Sequence, residues 1–463
     1  MSNCFIFDIG KTNIKCVLFD GNGHQLWSRS RPNIYGYDGD YPYVDVDAIW
    51  DWLLRSIELA NEVATIEAIN VSTHGACAVL LDKKGQLVLP VLDYEQPIPE
   101  SISDEYNDIR PDFSDTFSPS LPLGLNLGRQ LFWLKKRYAT EFNHAKTLLM
   151  YPQYWVWKLT GKAITEVTSL GCHTDMWQPA QQRFSSLVDT LQIRGLMPPI
   201  KAAYDVIGQP RDEVCKQTKL TPNCQVFSGV HDSNAGFARY LHSLSNKPIT
   251  LVSTGTWIIS MTNEPRLKVL QQSKDTLANV SVSGQLLSCA RFMGGREFEE
   301  ICLLTHTDES AEYDIEDLWQ LVIEDIFALP CFSQGGGPFA GQHGEIIGKP
   351  QSGKALASMY LALMIDYQLD LLGIVGDVVF GSMSKKNTLM CQVLAQLRPH
   401  QSILLSGDSA GTVKGAWCLT RWDNPPAHTL LNLDVAKATQ IKGLAGYRDR
   451  WRNLSEMTNE IAC

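Results

Sequence analysis

The first thirty residues carry the clearest alternation of apolar and polar segments. Cys4–Phe7 is apolar, Asp8-Ile9-Gly10-Lys11-Thr12-Asn13 is turn-like, and Ile14–Phe19 is apolar again. Asp20-Gly21-Asn22-Gly23 is a strong turn signal, and Gln25–Arg29 can form a third strand. Three short strands joined by tight turns are therefore expected. A dinucleotide-binding βαβ unit would instead begin strand, glycine-rich turn, helix, and no G-x-G-x-x-G occurs.

Beyond a polar, aromatic loop (Arg31–Tyr43), Asp45 or Asp47 can cap a helix. Its apolar positions Ile49, Trp52, Leu53, Ile57 and Ala60 recur at helical spacing. Ile66–Ser72 reads as a buried strand ending at Thr73-His74-Gly75. Val79–Leu81 and Val88–Leu92 read as a strand pair about Lys84-Gly85. Pro97 to Pro122, rich in Ser, Pro and Asp, reads as an irregular insertion. Leu131–Tyr138 and Pro152–Leu159 are helical in pattern, Gln225–Val230 is a strand, and Ser233–Leu241 a short helix.

The opening pattern then returns. Ile249–Ser253 is apolar, Thr254-Gly255-Thr256 turns, and Trp257–Met261 is apolar, about 245 residues after the first such unit. Two related halves are expected, divided in the polar stretch at residues 243–248, so that the domains are 1–245 and 246–463. The second half continues with a helix over Ala355–Ile374 and a strand, Val378–Phe380, that ends at Gly381-Ser382. A helix at Thr388–Leu397, a strand at Ser402–Leu405 and the turn Gly407-Asp408-Ser409 follow. The charged tail beyond about Asn432 reads as a surface helix.

Composition narrows the function classes. At 463 residues the chain suits two domains of roughly 200 residues. A formal net charge of −10 argues against nucleic acid and anionic membrane surfaces as partners. The 12 cysteines are scattered, with no C-x-x-C pair, as in reduced thiols of a cytoplasmic protein rather than a disulfide or zinc framework. No basic leader, cleavage site or long uncharged apolar run is present, so neither secretion nor a membrane span is expected.

The candidate chemistry lies in the turns. Glycine between two strands lets backbone N–H groups approach a phosphate, and a threonine hydroxyl can donate to its oxygens. Gly10, Lys11, Thr12 and Asn13 in the first turn and Thr254, Gly255 and Thr256 in the second are thus candidate phosphate ligands. Asp8, at a strand end, would hold Mg²⁺ directly or through water. Asp232, at a strand–helix junction within Gly229-Val230-His231-Asp232-Ser233, is placed to accept a hydroxyl proton during attack on a γ-phosphoryl group. Gly335-Gly336-Gly337-Pro338, Gly381-Ser382 and Gly407 are candidate nucleotide contacts, and His74 a candidate sugar contact.

In this order the motifs resemble the FGGY family of carbohydrate kinases, from Phe5 to about Trp422. D-x-G-x-T at Asp8–Thr12 resembles its first phosphate loop, and Ser253–Thr256 its second. Gly229–Ser233 resembles the segment holding its catalytic base, which implies that role for Asp232. Ser72-Thr73-His74-Gly75 and Asp93-Tyr94-Glu95 resemble its sugar-site segments. Tyr154-Trp155 through Leu159-Thr160-Gly161 and Glu166–Ser169 resemble a further one. The resemblance implies an α/β fold of two ribonuclease H-like, actin-like ATPase domains with a central cleft. It implies ATP and Mg²⁺ as cofactors, and a sugar held by His74, Gly75, Asp93, Glu95, Gln153, Tyr154, His231 and Asp232. His231-Asp232-Ser233 and Ser253–Trp257 are nearest to kinases of L-rhamnulose and L-fuculose. At the adenosine site the chain departs from the family, reading Gly381-Ser382-Met383-Ser384 and Lys414-Gly415-Ala416-Trp417. The rival class is a non-kinase actin-like ATPase, and a homodimer is one open state of assembly.

Overall fold

A computed structural model describes residues 2–244, 247–333, 336–381, 387–407, 411–424 and 431–461. The chain divides into two compact units. The first comprises Met1–Ser245, Ala278–Leu286 and Ala410–Leu430, and the second comprises Asn246–Leu277, Leu287–Ser409 and Leu431–Cys463. Two segments beyond residue 245 thus return to the first unit, which a single boundary does not anticipate.

The first unit is built on a sheet ordered Val206–Gly208, Gln225–Phe227, Ala68–Thr73, Cys4–Ile9, Asn13–Phe19, Gln25–Pro32. The opening three strands pair antiparallel, Ala68–Thr73 lies parallel to Cys4–Ile9, and Gln225–Phe227 and Val230–His231 lie parallel to Ala68–Thr73. The strands Cys4–Ile9, Asn13–Phe19 and Ala68–Thr73 are largely buried because both faces are covered, whereas the edge strand Gln25–Pro32 is polar and exposed. Phe5, Phe7 and Ile9 point to one face, packing with helices Val46–Val63 and Tyr151–Thr160. Cys4 and Ile6, offset by one residue, point to the other, which is covered by helices Asp232–Ser243 and Gly411–Leu419. A Cβ at Gly415 would stand 1.7 Å from the Ala235 carbonyl oxygen, so the last two helices touch backbone to backbone.

The second unit repeats the plan. Its sheet runs Leu286–Phe292, Ile258–Thr262, Ile249–Ser253, Asp377–Phe380, Ile403–Ser406, with Thr276–Val280 and Leu433–Val435 at its edges. The first three strands are again antiparallel and the next two parallel. Counted along the chain without the added edge strands, each sheet has the order 3-2-1-4-5 of the ribonuclease H-like fold shared by actin-like ATPases. Helix Gly353–Leu371 is buried almost all round.

Three local expectations are corrected. Ala78–Leu81 pairs along its length with Thr147–Met150, and Val91–Leu92 with Tyr43–Val44, while the pairing about Lys84-Gly85 is limited to a Leu81–Leu87 bridge and the Val88 N–H bond to the Leu80 carbonyl at 2.9 Å. Pro90, which has no N–H to donate, interrupts the returning strand. The stretch read as irregular contains helix Glu100–Asn107, fixed by buried Tyr106, whose hydroxyl donates to Asp175 Oδ2 at 2.6 Å. The tail helix, Leu444–Ile461, is not confined to the surface: Tyr447 stacks on Phe327, and fully buried Trp451 donates to the Ala328 carbonyl. Among the described residues no helix is long and apolar enough to cross a membrane.

Candidate active site

The first hairpin is tied down from one side. The Gly10 N–H closes the turn on the Asn13 carbonyl at 2.9 Å. The Gly10, Lys11 and Thr12 carbonyls accept from Asn33 Nδ2, the Tyr35 hydroxyl and the Asn33 N–H, each at 2.8 Å. Thr12 and Asn13 remain exposed at the tip. Asp8, one residue from the strand end, lies opposite Ser72 in the parallel register. Burial, and then the charge of Asp232, pushes its carboxyl up to about 7.

Asp232 is the first residue of its helix, and its Oδ1 accepts from the Ser233 N–H at 2.6 Å and the Ser233 hydroxyl at 3.2 Å. Its side chain keeps 30% exposure, so a hydroxyl group can reach it. The neighbouring His231 is buried, with Nδ1 3.4 Å from Asp232 Oδ1. Burial opposes a charge on this imidazole, but Cys172, Asp232 and Glu166 together carry it up to about 9. The Cys172 thiol moves well below its usual range in return, as His173 and His231 overcome its burial. A Cβ at Gly75 would stand 2.6 Å from His231 Nε2, so only glycine admits this ring.

His74 is buried, with Nδ1 2.8 Å from the Gly75 carbonyl, which fixes the proton on that nitrogen. Burial lowers its pKa, and Nε2 has no hydrogen-bond partner among the described residues, so the ring offers a neutral lone pair to a hydroxyl group. Its ring neighbours are Tyr94 at 5.5 Å and Tyr151 at 5.1 Å. Tyr154, which the sequence placed on the sugar, instead stacks on Trp157 and lines a different cavity with Asp47 and Lys158. The two tyrosines lie one turn apart along helix Tyr151–Thr160, and it is the earlier one that reaches His74. Gln153 donates to the Ser228 and Gly229 carbonyls and so braces the strand that leads to Asp232.

Lys11 also differs from its expected role beside the phosphates. Its ammonium pairs with Asp93 and lies 3.4 Å from Glu95 Oε2, between the rings of Tyr35 at 4.3 Å and Tyr94 at 4.8 Å. The phosphate hairpin is thereby fastened to the Asp93–Glu95 segment.

In the second unit, Thr254, Gly255 and Thr256 line a cavity of about 530 Å³. Gly295, Phe298, Lys354, Asn387 and Met390 line it too, and sequence reasoning missed them. The signal was present: Gly294-Gly295 directly follows a strand and opens a helix. A Cβ at Gly295 would stand 2.4 Å from the Gly255 carbonyl oxygen. Gly336 and Gly337 are not among the residues lining this cavity. They have positive φ, and the Gly337 N–H donates to Asp275 Oδ2 at 3.1 Å. Gly381 ends its strand with an N–H bond to Val252 at 3.0 Å, and Gly407 bonds Asn432 at 3.3 Å. Ser382, Gly335, Asp408 and Ser409 lie outside the described residues.

Comparison with known proteins follows the same division. Residues 4–238 match the N-terminal domain of the FGGY family of carbohydrate kinases, and residues 246–428 match the FGGY C-terminal domain. A carbohydrate kinase from Novosphingobium aromaticivorans is 33% identical with a TM-score of 0.88, the match covering 97% of this chain and 100% of that one. L-fuculokinase of Escherichia coli (strain K12) is 24% identical over 335 residues, 69% of this chain and 68% of that protein. Rhamnulokinase of Bacteroides thetaiotaomicron is 25% identical over 267 residues, 55% and 53% of the two chains. The protein belongs to the FGGY family of carbohydrate kinases and is an ATP-dependent sugar kinase.

Proposed function

We propose that the chain transfers the γ-phosphoryl group of ATP to a primary hydroxyl of a ketose such as L-rhamnulose or L-fuculose. The observation that carries this reading is the grouping of Asp232, Asp8 and His74 at the ends of adjacent parallel strands. Asp232 accepts the hydroxyl proton as the sugar oxygen bonds to phosphorus and the bond to ADP breaks; the proton then leaves to solvent. His74 Nε2 orients a neighbouring sugar hydroxyl, and His231, Gly75 and the Asp93–Glu95 segment border the same site. Each glycine–threonine hairpin offers backbone N–H groups and hydroxyls suited to phosphate oxygens.

Asp8 suits a hard cation, since its part-buried carboxyl feels the charge of a second carboxylate, Asp232. Among the described residues no group of three or more His, Cys, Asp or Glu side chains is placed to hold a metal. Mg²⁺ would therefore be shared between Asp8, water and the nucleotide, where it would neutralise phosphate charge.

The similarity to L-fuculokinase and rhamnulokinase supports a 6-deoxy-ketose, and the motif His231-Asp232-Ser233 supports the same subgroup. A coupled assay of ADP release across L-rhamnulose, L-fuculose, xylulose, ribulose, erythritol and glycerol tests the assignment. Sugar-dependent turnover greatest with a 6-deoxy-ketose is expected. Turnover confined to a pentulose or polyol would move the substrate, and sugar-independent ADP release would indicate the rival ATPase.

A further inference from the structure

The first unit holds a cavity of about 360 Å³ that the reaction above leaves unused. Its walls include Trp50, Lys84, Gly85, Trp157, Lys158 and Arg211. A groove of about 450 Å³ continues it, sharing Lys84, Gly85, Trp157 and Arg211 and adding Lys83 and Lys146. The floor is fixed: a Cβ at Gly85 would stand 2.7 Å from the Trp157 ring, so the Asp82–Gln86 turn rests directly on the indole.

The charges around this cavity are not balanced. Lys158 is half-buried, 4.9 Å over the Trp50 ring, and makes no ion pair with any described residue. Burial depresses its ammonium pKa, the response of a cation denied solvent without a close counter-ion. Lys83, Lys84 and Lys146 likewise make no ion pair with a described residue. Arg211 lies 4.9 Å over Trp157, spends Nη2 on the Trp157 carbonyl at 3.0 Å, and leaves a buried Nε without a partner. Four carboxylates stand nearby, exposed Asp51 among them. Asp82 is turned into its own hairpin, accepting from the Lys84 and Gln86 N–H groups. Glu213 is 73% exposed and 3.4 Å from Arg211, and Asp47 is exposed. Five cations thus meet four peripheral carboxylates in a chain whose net charge is −10.

We propose that this cavity is a second ligand site, for a small phosphate ester. Its phosphate oxygens would take Lys84, Lys158 and Arg211, and its uncharged body would lie along Trp157. A half-buried, unpaired Lys158, an unpaired Lys84 and the open Nε of Arg211 beside flat apolar walls suit a phosphate on a compact carbon skeleton.

The test is calorimetric titration of the full chain with glucose 6-phosphate, pyrophosphate and glucose, with the triphosphate site saturated by a non-hydrolysable ATP analogue. Glucose 6-phosphate should bind one site per chain, and glucose should not bind there. Lys84→Gln/Lys158→Gln should weaken that binding at least about tenfold, because each removes a charge-assisted contact. The variant should keep kcat and the KM values for sugar and ATP. Equal isotherms for the variant and the unaltered protein would overturn the proposal, as would loss of binding whenever the analogue is present. Binding of pyrophosphate alone would overturn the ester assignment.

Discussion

Replacing Lys11 with methionine probes the link between the first hairpin and the Asp93–Glu95 segment. The Asp93 side chain is only 8% exposed and that of Lys11 21%, so the substitution strands a mostly buried carboxylate. Removing one member of a fully buried pair destabilises by about 3–5 kcal/mol; allowing for the solvent that reaches Lys11, about 2 kcal/mol is expected. The two flanking rings add roughly 0.5 kcal/mol each, for a total of about 3 kcal/mol. With Asp93→Asn already present there is no stranded charge, and the same substitution should remove only the ring contribution, roughly 1 kcal/mol. Urea unfolding of the unaltered protein, the two single variants and the double variant measures the difference, a coupling of about 2 kcal/mol. Additivity within about 0.5 kcal/mol would refute the reasoning. Lys11→Met should also raise the KM for sugar more than that for ATP; the reverse order would return Lys11 to the phosphates.

Three further outcomes can be checked. Asp232→Asn should lower kcat at least about a thousandfold while ATP binding by calorimetry is largely kept, because it loses a positioned proton acceptor. Near-normal turnover would remove Asp232 from the mechanism. Asp8, raised from 3.8 to about 7, becomes a carboxylate only as pH rises through that value, so kcat/KM for ATP should fall on the acid side of neutrality. The folded state also holds this proton more tightly than the unfolded one, so this group's contribution to stability declines as pH rises from about 4 to 7. A flat kcat/KM profile between about pH 5.5 and 8 would contradict the shift, and Asp8→Asn should remove that part of the stability slope. Gly295→Ala would press a methyl group onto the Gly255 carbonyl, displacing the second hairpin at a cost of about 1–3 kcal/mol. The KM for ATP should rise severalfold with that for sugar unchanged, and an unaltered KM for ATP would show that the hairpin does not depend on this contact.

What could be read along the chain was whatever local pattern encodes. The hairpins around Gly10 and Gly255 announce themselves through apolar runs broken by glycine and threonine, and helix Thr388–Leu397 has the expected limits. Asp232 is legible because a strand end and a helix start are both local. Partners distant in sequence were not legible. Nothing near Lys11 announces Asp93, and nothing near Leu81 announces Leu148, because such pairings are fixed only when the core closes. Tyr151 and Tyr154 are equally aromatic and almost equally buried, so only their positions along the helix, one turn apart, separate the His74 neighbour from the wall of another cavity. The tail helix misled because its Arg and Asp residues outnumber the two aromatic anchors, Tyr447 and Trp451.

The contact of Gly415 with Ala235 has a consequence for how this protein is made. Helix Gly411–Leu419 leaves the ribosome after nearly all of the second unit, yet it completes the apolar face shared with Ala235 and Ala238. During synthesis the leading half must wait, greasy side uncovered, for the final stretch of the message to be translated. A chain cut at residue 245 would therefore leave that apolar face bare, a sticky half-product instead of a self-sufficient domain.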